Sequence, residues 1–308
     1  MSEENTRCGF AAVIGAPNAG KSTLVNALVG AKVSIVTPKV QTTRMRVRGV
    51  AIRGETQIVF VDTPGIFKPR RKLDLAMVNA AWAGAGEADA ILLLVDAPAI
   101  TAQADGLAAQ DTQSIIEGLK QNKQRAALVL NKVDDMSRAD LLPLAERLSD
   151  ADVFEQVFMV SALTGDHVED VAVWTAAKMP TGPWLYPEDQ AADISMRLLA
   201  AEITREKLYL RLHDELPYAT NVETEKWEER KDGSVKIDQV ITVERDGQKA
   251  IVLGKGGRAV KAIGEASRKE LEEMLGRRVH LFLFVKVREN WSNTREHYVA
   301  IGLEYPEE

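Results

Sequence analysis

The sequence predicts an α/β protein in two parts: a doubly wound, mostly parallel sheet over residues 1–179 and a smaller α+β unit over 194–308. Three observations carry this. Short apolar runs alternate with amphipathic stretches from about residue 9 to 178, the pattern of a sheet covered by helices on both faces. Residues 180–193 then hold Pro180, Pro183 and Pro187, too much proline for a helix, and read as a linker between domains. Beyond it the order becomes α-β-β-α-α-β.

The first strand, FAAVI, feeds Gly15-Ala16-Pro17-Asn18-Ala19-Gly20-Lys21-Ser22 and then the amphipathic run STLVNALVG. This is a complete Gly-x-x-x-x-Gly-Lys-Ser loop in its proper strand–loop–helix context. Its backbone N–H groups and the helix N-terminus converge on phosphate oxygens. Lys21 adds a point charge for the β- and γ-phosphates, Ser22 a hydroxyl for Mg²⁺, and Thr23 continues the helix start.

Two strands are expected through 46–53 and 57–61, the second ending in Asp62-Thr63-Pro64-Gly65. A carboxylate at Asp62 suits the outer shell of Mg²⁺, and the Gly65 N–H can meet a γ-phosphate and sense its presence. Between loop and strand, Thr42 and Thr43 offer the hydroxyl of a first switch, with Thr43 favoured. Lys21, Thr43 and Gly65 are thus the residues expected closest to the chemistry. Ile66 stands where many nucleotide switches hold a water-orienting glutamine, so intrinsic hydrolysis should be slow and Ile66→Ala should alter it little. Arg44, Arg46 and Arg48 near the first switch offer charge for RNA or for the reaction, but read more simply as exposed strand arginines.

A helix near 74–85, the buried strand AILLLV ending at Asp96, and a helix near 107–121 follow. ALVL then runs into Asn131-Lys132-Val133-Asp134. The Asp134 carboxylate can accept from guanine N1–H and the 2-amino group, a donor pair that adenine lacks. Asn131 can pin the loop and meet the purine edge, and the Lys132 stem can cover the base face. A helix near 138–149 precedes VFMV, whose strand ends in Ser161-Ala162-Leu163 with backbone free to close on the base oxygen. A helix near 168–178 completes the part.

These motifs, with GAPNAGKST and Thr-Thr-Arg at 42–44, resemble a translation-factor-related GTPase and most closely the Era family. The implied fold is a P-loop GTPase doubly wound sheet followed by an α+β type II KH domain (α-β-β-α-α-β). The second half offers the matching feature: Gly254-Lys255-Gly256-Gly257 between two helical stretches, the backbone clamp of KH domains, with Arg258 and Lys261 beside it. Residues 245–288 carry eleven Lys/Arg against five Asp/Glu, inside a segment 181–308 that holds 20 basic and 24 acidic residues. A basic face on an acidic domain is a directional electrostatic footprint. The resemblance, which extends to VLGKGG and VKVRENWSN, implies GTP and GDP as ligands with Mg²⁺. It also implies binding to the 3′ region of 16S ribosomal RNA, and a role in rRNA processing and 30S subunit biogenesis. A monomer in the cytoplasm, with peripheral contact to the inner membrane face, completes the expectation. Asn18 occupies the position where related potassium-stimulated GTPases hold K⁺, or it simply braces the loop.

Bulk properties agree. The 308 residues suffice for two cores. The net charge of −6 gives no global nucleic-acid signature, and the single Cys8 excludes an internal disulfide. The four histidines lack metal-ligand spacing. The N-terminus has no apolar segment of a secretory signal. Two rivals stand beside the switch: an ATP-using P-loop enzyme, which would lack Asn-Lys-x-Asp, and an RNA adaptor with a vestigial nucleotide domain.

Overall fold

The computed structural model describes residues 6–213 and 216–306. The chain divides into two compact units, one of residues 1–34, 43–193 and 301–308, the other of 35–42 and 194–300.

In the first unit, β1 (Arg7–Gly15) lies mid-sheet because its apolar residues are buried on both faces. It leads into α1 (Lys21–Val29), followed by β2 (Val47–Arg53), β3 (Thr56–Asp62) and α2 (Lys72–Glu87). Next come β4 (Ala90–Asp96), α3 (Ala97–Ala102), α4 (Leu107–Gln121), β5 (Ala126–Asn131), α5 (Arg138–Ser149), β6 (Phe154–Val160) and α6 (Val168–Lys178). The sheet order is β2-β3-β1-β4-β5-β6, with only β2 antiparallel to its neighbour. Alternation along each strand splits the core in two. Val13, Phe60 and Leu92 face α1 and α6, while Ala12, Leu93 and Leu128 face α2, α4 and α5. The six-residue α3 was not foreseen; Asp96 caps it with Pro98 in its first turn. Because β1, β3, β4, β5 and β6 run parallel, Gly15, Asp62, Asp96, Asn131 and Val160 all end at one edge of the sheet. The order reverses at β1, and ligand crevices of doubly wound sheets lie at this edge.

The Pro-rich stretch is not a free tether. The buried Gln57 side chain donates to the Tyr186 carbonyl at 2.7 Å and accepts from the Leu185 and Tyr186 N–H groups. The Val50 N–H reaches the Ala191 carbonyl at 2.8 Å and the Asp193 N–H reaches the Arg48 carbonyl at 3.0 Å, so 191–193 cover the otherwise open edge of β2.

In the second unit, α7 (Met196–Arg211) precedes the antiparallel pair β7 (Thr220–Glu229) and β8 (Val235–Val243). After α8 (Asp246–Leu253) and α9 (Arg258–Leu275), β9 (Val279–Val287) adds parallel to β8. Leu208, Ile241, Val252 and Ile263 anchor the core between helices and sheet. A short α10 (Arg295–Ala300) follows. The segment 35–42 belongs to this unit: Glu206 accepts the Val36 N–H at 2.8 Å, and the buried Arg205 guanidinium donates to the Thr42 carbonyl.

Candidate functional site

The phosphate loop is built where β1 turns into α1. α1 starts at Gly20 in the left-handed region, φ 96°, and has no side-chain cap, which leaves its first N–H groups free for an anion. Only glycine fits at that position: a Cβ there would lie 2.3 Å from Asn131 Nδ2. Ala16, Ala19 and Lys21 are buried; Gly20, Pro17, Ser22 and Thr23 are half-buried and Asn18 is exposed at the crest, φ 63°. Lys21 folds back on the loop, donating to the Gly15 carbonyl at 3.2 Å and the Ala16 carbonyl at 2.9 Å. Burial pushes its ammonium down to about 8, against the pull of Asp62, which favours the charge.

Below Lys21 lies a cluster of oxygens. Ser22 Oγ donates to Asp62 Oδ2 at 2.7 Å, Thr43 Oγ1 lies 2.8 Å from Ser22 Oγ, and Thr43 donates to Asp62 Oδ2 at 3.2 Å. Burial raises the Asp62 carboxyl above its ordinary range, opposed by the Ser22 hydrogen bond and by Lys21. Its Oδ1 is buried without a hydrogen-bond partner among the described residues. Thr42 turns elsewhere, its hydroxyl 2.6 Å from Thr37 Oγ1 and donating to the Lys39 carbonyl. Thr63 is buried and donates to the Val13 carbonyl at 2.7 Å, locking the strand end on β1; Pro64 is buried beside it and Gly65 lies against Pro17.

Ile66 has a structural role that the expectation did not assign. Its side chain is 5% exposed and packs among Ile14, Ile91 and Leu93, and its N–H donates to the Gly15 carbonyl at 3.0 Å. Its side chain is a core residue and its backbone ties this loop to the phosphate loop, so truncation acts on stability. The three arginines differ too. Arg44 is buried, Arg46 pairs with Glu87 at 2.9 Å, and Arg48 bonds Asp193 at 3.1 Å while stacking on Phe10. Arg46 is held by the end of α2 and Arg48 by the segment that covers the open side of β2.

The base side centres on Asn131, whose Nδ2 donates to the Ala19 carbonyl at 2.8 Å and whose Oδ1 accepts the Ala162 N–H at 2.9 Å. It joins the phosphate loop to the Ser161–Leu163 loop, so both its polar atoms bind main chain. Ser161 is buried and its Oγ accepts the Thr164 N–H, Ala162 is buried and Leu163 is exposed. Lys132 is left-handed at φ 66°, which turns the chain so that Asp134 projects into solvent within a single 3₁₀ turn. Asp134 is exposed rather than buried, so a base must supply the cover that makes mispairing costly. One contact went unforeseen: Lys132 Nζ pairs with Asp96 Oδ2 at 2.5 Å. The sequence signals only the capping half of this arrangement, an Asp closing an apolar strand immediately before Ala-Pro.

In the second unit, Gly254–Gly257 form the turn between α8 and α9. Gly254, Gly256 and Gly257 all have positive φ, and a Cβ on Gly254 would come within 2.7 Å of the Ala259 Cβ. Lys255, Gly256, Arg258 and Lys261 are exposed. Arg258 Nε donates to the Lys255 carbonyl at 3.1 Å, which steadies the turn without hiding its outer face.

Residues 10–132 match the family described as 50S ribosome-binding GTPase, and residues 215–292 match the KH domain. GTPase Era of Rhizobium meliloti strain 1021 is 63% identical over 301 residues, covering 98% of this chain and 94% of the relative. GTPase Era of Caulobacter vibrioides strain NA1000 is 61% identical over 307 residues, covering 97% of each. The chain belongs to the Era GTPase family. Era crystal structures agree with the fold. One, in complex with MgGDPNP and nucleotides 1506–1542 of 16S ribosomal RNA, has a TM-score of 0.88 at 36% identity, covering 97% of this chain and 99% of that one. A single-residue variant of Aquifex aeolicus Era bound to GDP·AlF₄⁻ also gives 0.88 at 36%, covering 96% and 99%. As an Era GTPase the chain binds GTP and GDP and hydrolyses GTP, and its second unit holds a KH domain. No helix among the described residues is long and apolar enough to cross a membrane.

Proposed function

We propose that this Era GTPase is a Mg²⁺-dependent switch that binds the 3′ region of 16S ribosomal RNA through its KH domain and assists rRNA processing and 30S subunit biogenesis. The observation that carries the nucleotide half is the cluster of Ser22, Thr43 and Asp62 under the phosphate loop. It is a set of hard oxygens with one buried carboxylate oxygen lacking a partner among the described residues, and such donors suit Mg²⁺. Ser22 and Thr43 would hold the ion directly and Asp62 through water. Bound there, the ion neutralises charge on the β- and γ-phosphates.

The protein's own groups do the rest. N–H groups from Asn18 to Thr23 cradle the phosphates, Gly15, Ala16 and Pro17 shape the loop, and Lys21 swings from the Gly15 and Ala16 carbonyls to the phosphate oxygens. The Gly65 N–H meets the γ-phosphate. Asp134 reads the guanine edge, Asn131 keeps the two loops together, the Lys132 stem covers the base, and the Ser161–Leu163 backbone closes behind it. Asn18 offers an amide oxygen to a monovalent cation such as K⁺. With Ile66 buried, no side chain at that position orients water, so unaided turnover is slow. In sequence terms residues 1–179 make the GTPase domain, 180–193 the connector and 194–308 the RNA-binding domain of a cytoplasmic monomer that touches the inner membrane face peripherally, although 35–42 pack with the second unit and 180–193 and 301–308 with the first. RNA backbone passes over Gly254, Lys255, Gly256 and Gly257, with Arg258 and Lys261 on its phosphates. The RNA assignment is supported by the Era complex with nucleotides 1506–1542.

Asp134→Asn tests the base reading. It should weaken GTP binding by about 2–3 kcal/mol, the loss of a charged hydrogen bond, and shift preference toward xanthine nucleotides. Equal competition by ATP and GTP for the unmodified protein would sink guanine recognition.

A further inference from the structure

Asp96 belongs to none of the nucleotide motifs, yet it closes β4 at the same sheet edge and in register with Asn131. Its side chain is 13% exposed and both oxygens are engaged. Oδ1 accepts the Ala99 N–H at 3.0 Å and caps α3; Oδ2 accepts Lys132 Nζ at 2.5 Å. One carboxylate therefore fixes the start of a helix and the end of a lysine. The lysine needs fixing: its backbone sits in the left-handed region, and its long side chain, 37% exposed, would otherwise be free to move in solvent.

We propose that Asp96 is a positioning residue for guanine nucleotide binding. It holds the Lys132 ammonium, so that the methylene stem is extended before the base arrives and forms one wall of the base site. The proposal rests on the reading that the Lys132 stem covers the base. Rigidifying a contact in its bound conformation saves ordering entropy on association, and a charge-assisted hydrogen bond is the strong kind of tether. The ammonium also neutralises the carboxylate, so the pair adds little repulsion toward an anionic nucleotide.

The two duties of Asp96 can be separated. Asn and Ser cap helices about as well as Asp, but neither carries the charge, and Ser is too short to reach the ammonium. In Asp96→Asn and Asp96→Ser, thermal stability should stay close to that of the unmodified chain. Dissociation of a fluorescent GDP, followed by stopped flow, should quicken about fivefold in both. Affinity for inorganic pyrophosphate, which has no base, should be unchanged. Lys132→Met should also quicken GDP release, and the Asp96→Asn/Lys132→Met pair should be no faster than the faster single variant. Unchanged release in the Asp96 variants, an equal loss of pyrophosphate binding, or multiplicative effects in the pair would overturn the assignment. If Lys132→Met itself leaves GDP release unchanged, the base-covering reading falls as well. If it quickens release while the Asp96 variants do not, only the role of Asp96 falls.

Discussion

Lys21, the proposed phosphate contact, shows how burial tunes a single residue. Its ammonium is buried against carbonyls and held down to about 8 by desolvation, well below the ordinary lysine value of 10.5. Between those values the unfolded chain binds more protons than the folded one, so this group makes stability rise with pH across that window. Phosphate reverses the effect, because an anion beside the ammonium favours its charged form. GDP affinity should therefore be level below about pH 7.5 and fall about fourfold from pH 7 to pH 8.5, with net proton uptake at the higher pH. Calorimetry in two buffers of different ionisation enthalpy measures both quantities. No proton uptake would mean that Lys21 is charged throughout. Ile66 makes the opposite point, since its side chain serves the core. Ile66→Ala should cost about 2–4 kcal/mol in urea unfolding of the first unit, a loss that a role confined to positioning water would not produce.

At the scale of elements, the turn between α8 and α9 is the clearest case. Positive φ at three glycines brings backbone close to the surface, and the exposed Lys255 marks the tip. Replacing Lys255 and Gly256 together by Asp adds negative charge and bulk where the proposed RNA path runs; the space around Gly256 is open, and its φ of 64° puts some local strain on the new Asp. The α8–α9 core behind the turn, with Val252 and Ile263 buried, is untouched. Single-stranded RNA binding should fall at least about tenfold in filter or anisotropy assays while GDP binding stays as before. Retained RNA binding would move the interface off this turn. β2 teaches a related lesson: its edge is closed by residues 191–193, so the Pro-rich stretch acts as a strap on the sheet as far as Asp193.

For the whole molecule, the chain itself makes the connection that matters. Thr43 contributes its hydroxyl to the oxygen cluster, while the preceding residue, Thr42, is gripped through its carbonyl by Arg205 on α7. Val36, farther back, is held by Glu206. If Thr43 moves toward a γ-phosphate as proposed, it would pull on a segment anchored to the second unit. RNA affinity should differ between the GTP-analogue and GDP forms, and by linkage RNA must change GTP affinity by the same factor. Titrating a 3′-terminal 16S fragment into both forms measures this. Identical affinities would make the two units independent modules.

Much of this was legible in the sequence because the decisive features are local. Gly20 and Lys21 make their loop through steric freedom and charge at a strand–helix corner, and apolar runs such as AILLLV reveal strands buried on both faces. Asp62, Asp134 and the Gly254–Gly257 turn were likewise visible, each at the end of a readable element. Only the tertiary structure decided which threonine meets Asp62, because Thr42 and Thr43 differ by one residue and point apart once the chain is anchored on both sides. It also decided that Arg44 is buried, that Ile66 serves the core, and that Asp96 reaches Lys132 across 36 residues. Those facts come from strand order and register, which bring distant residues within hydrogen-bonding distance and leave no trace in local spacing.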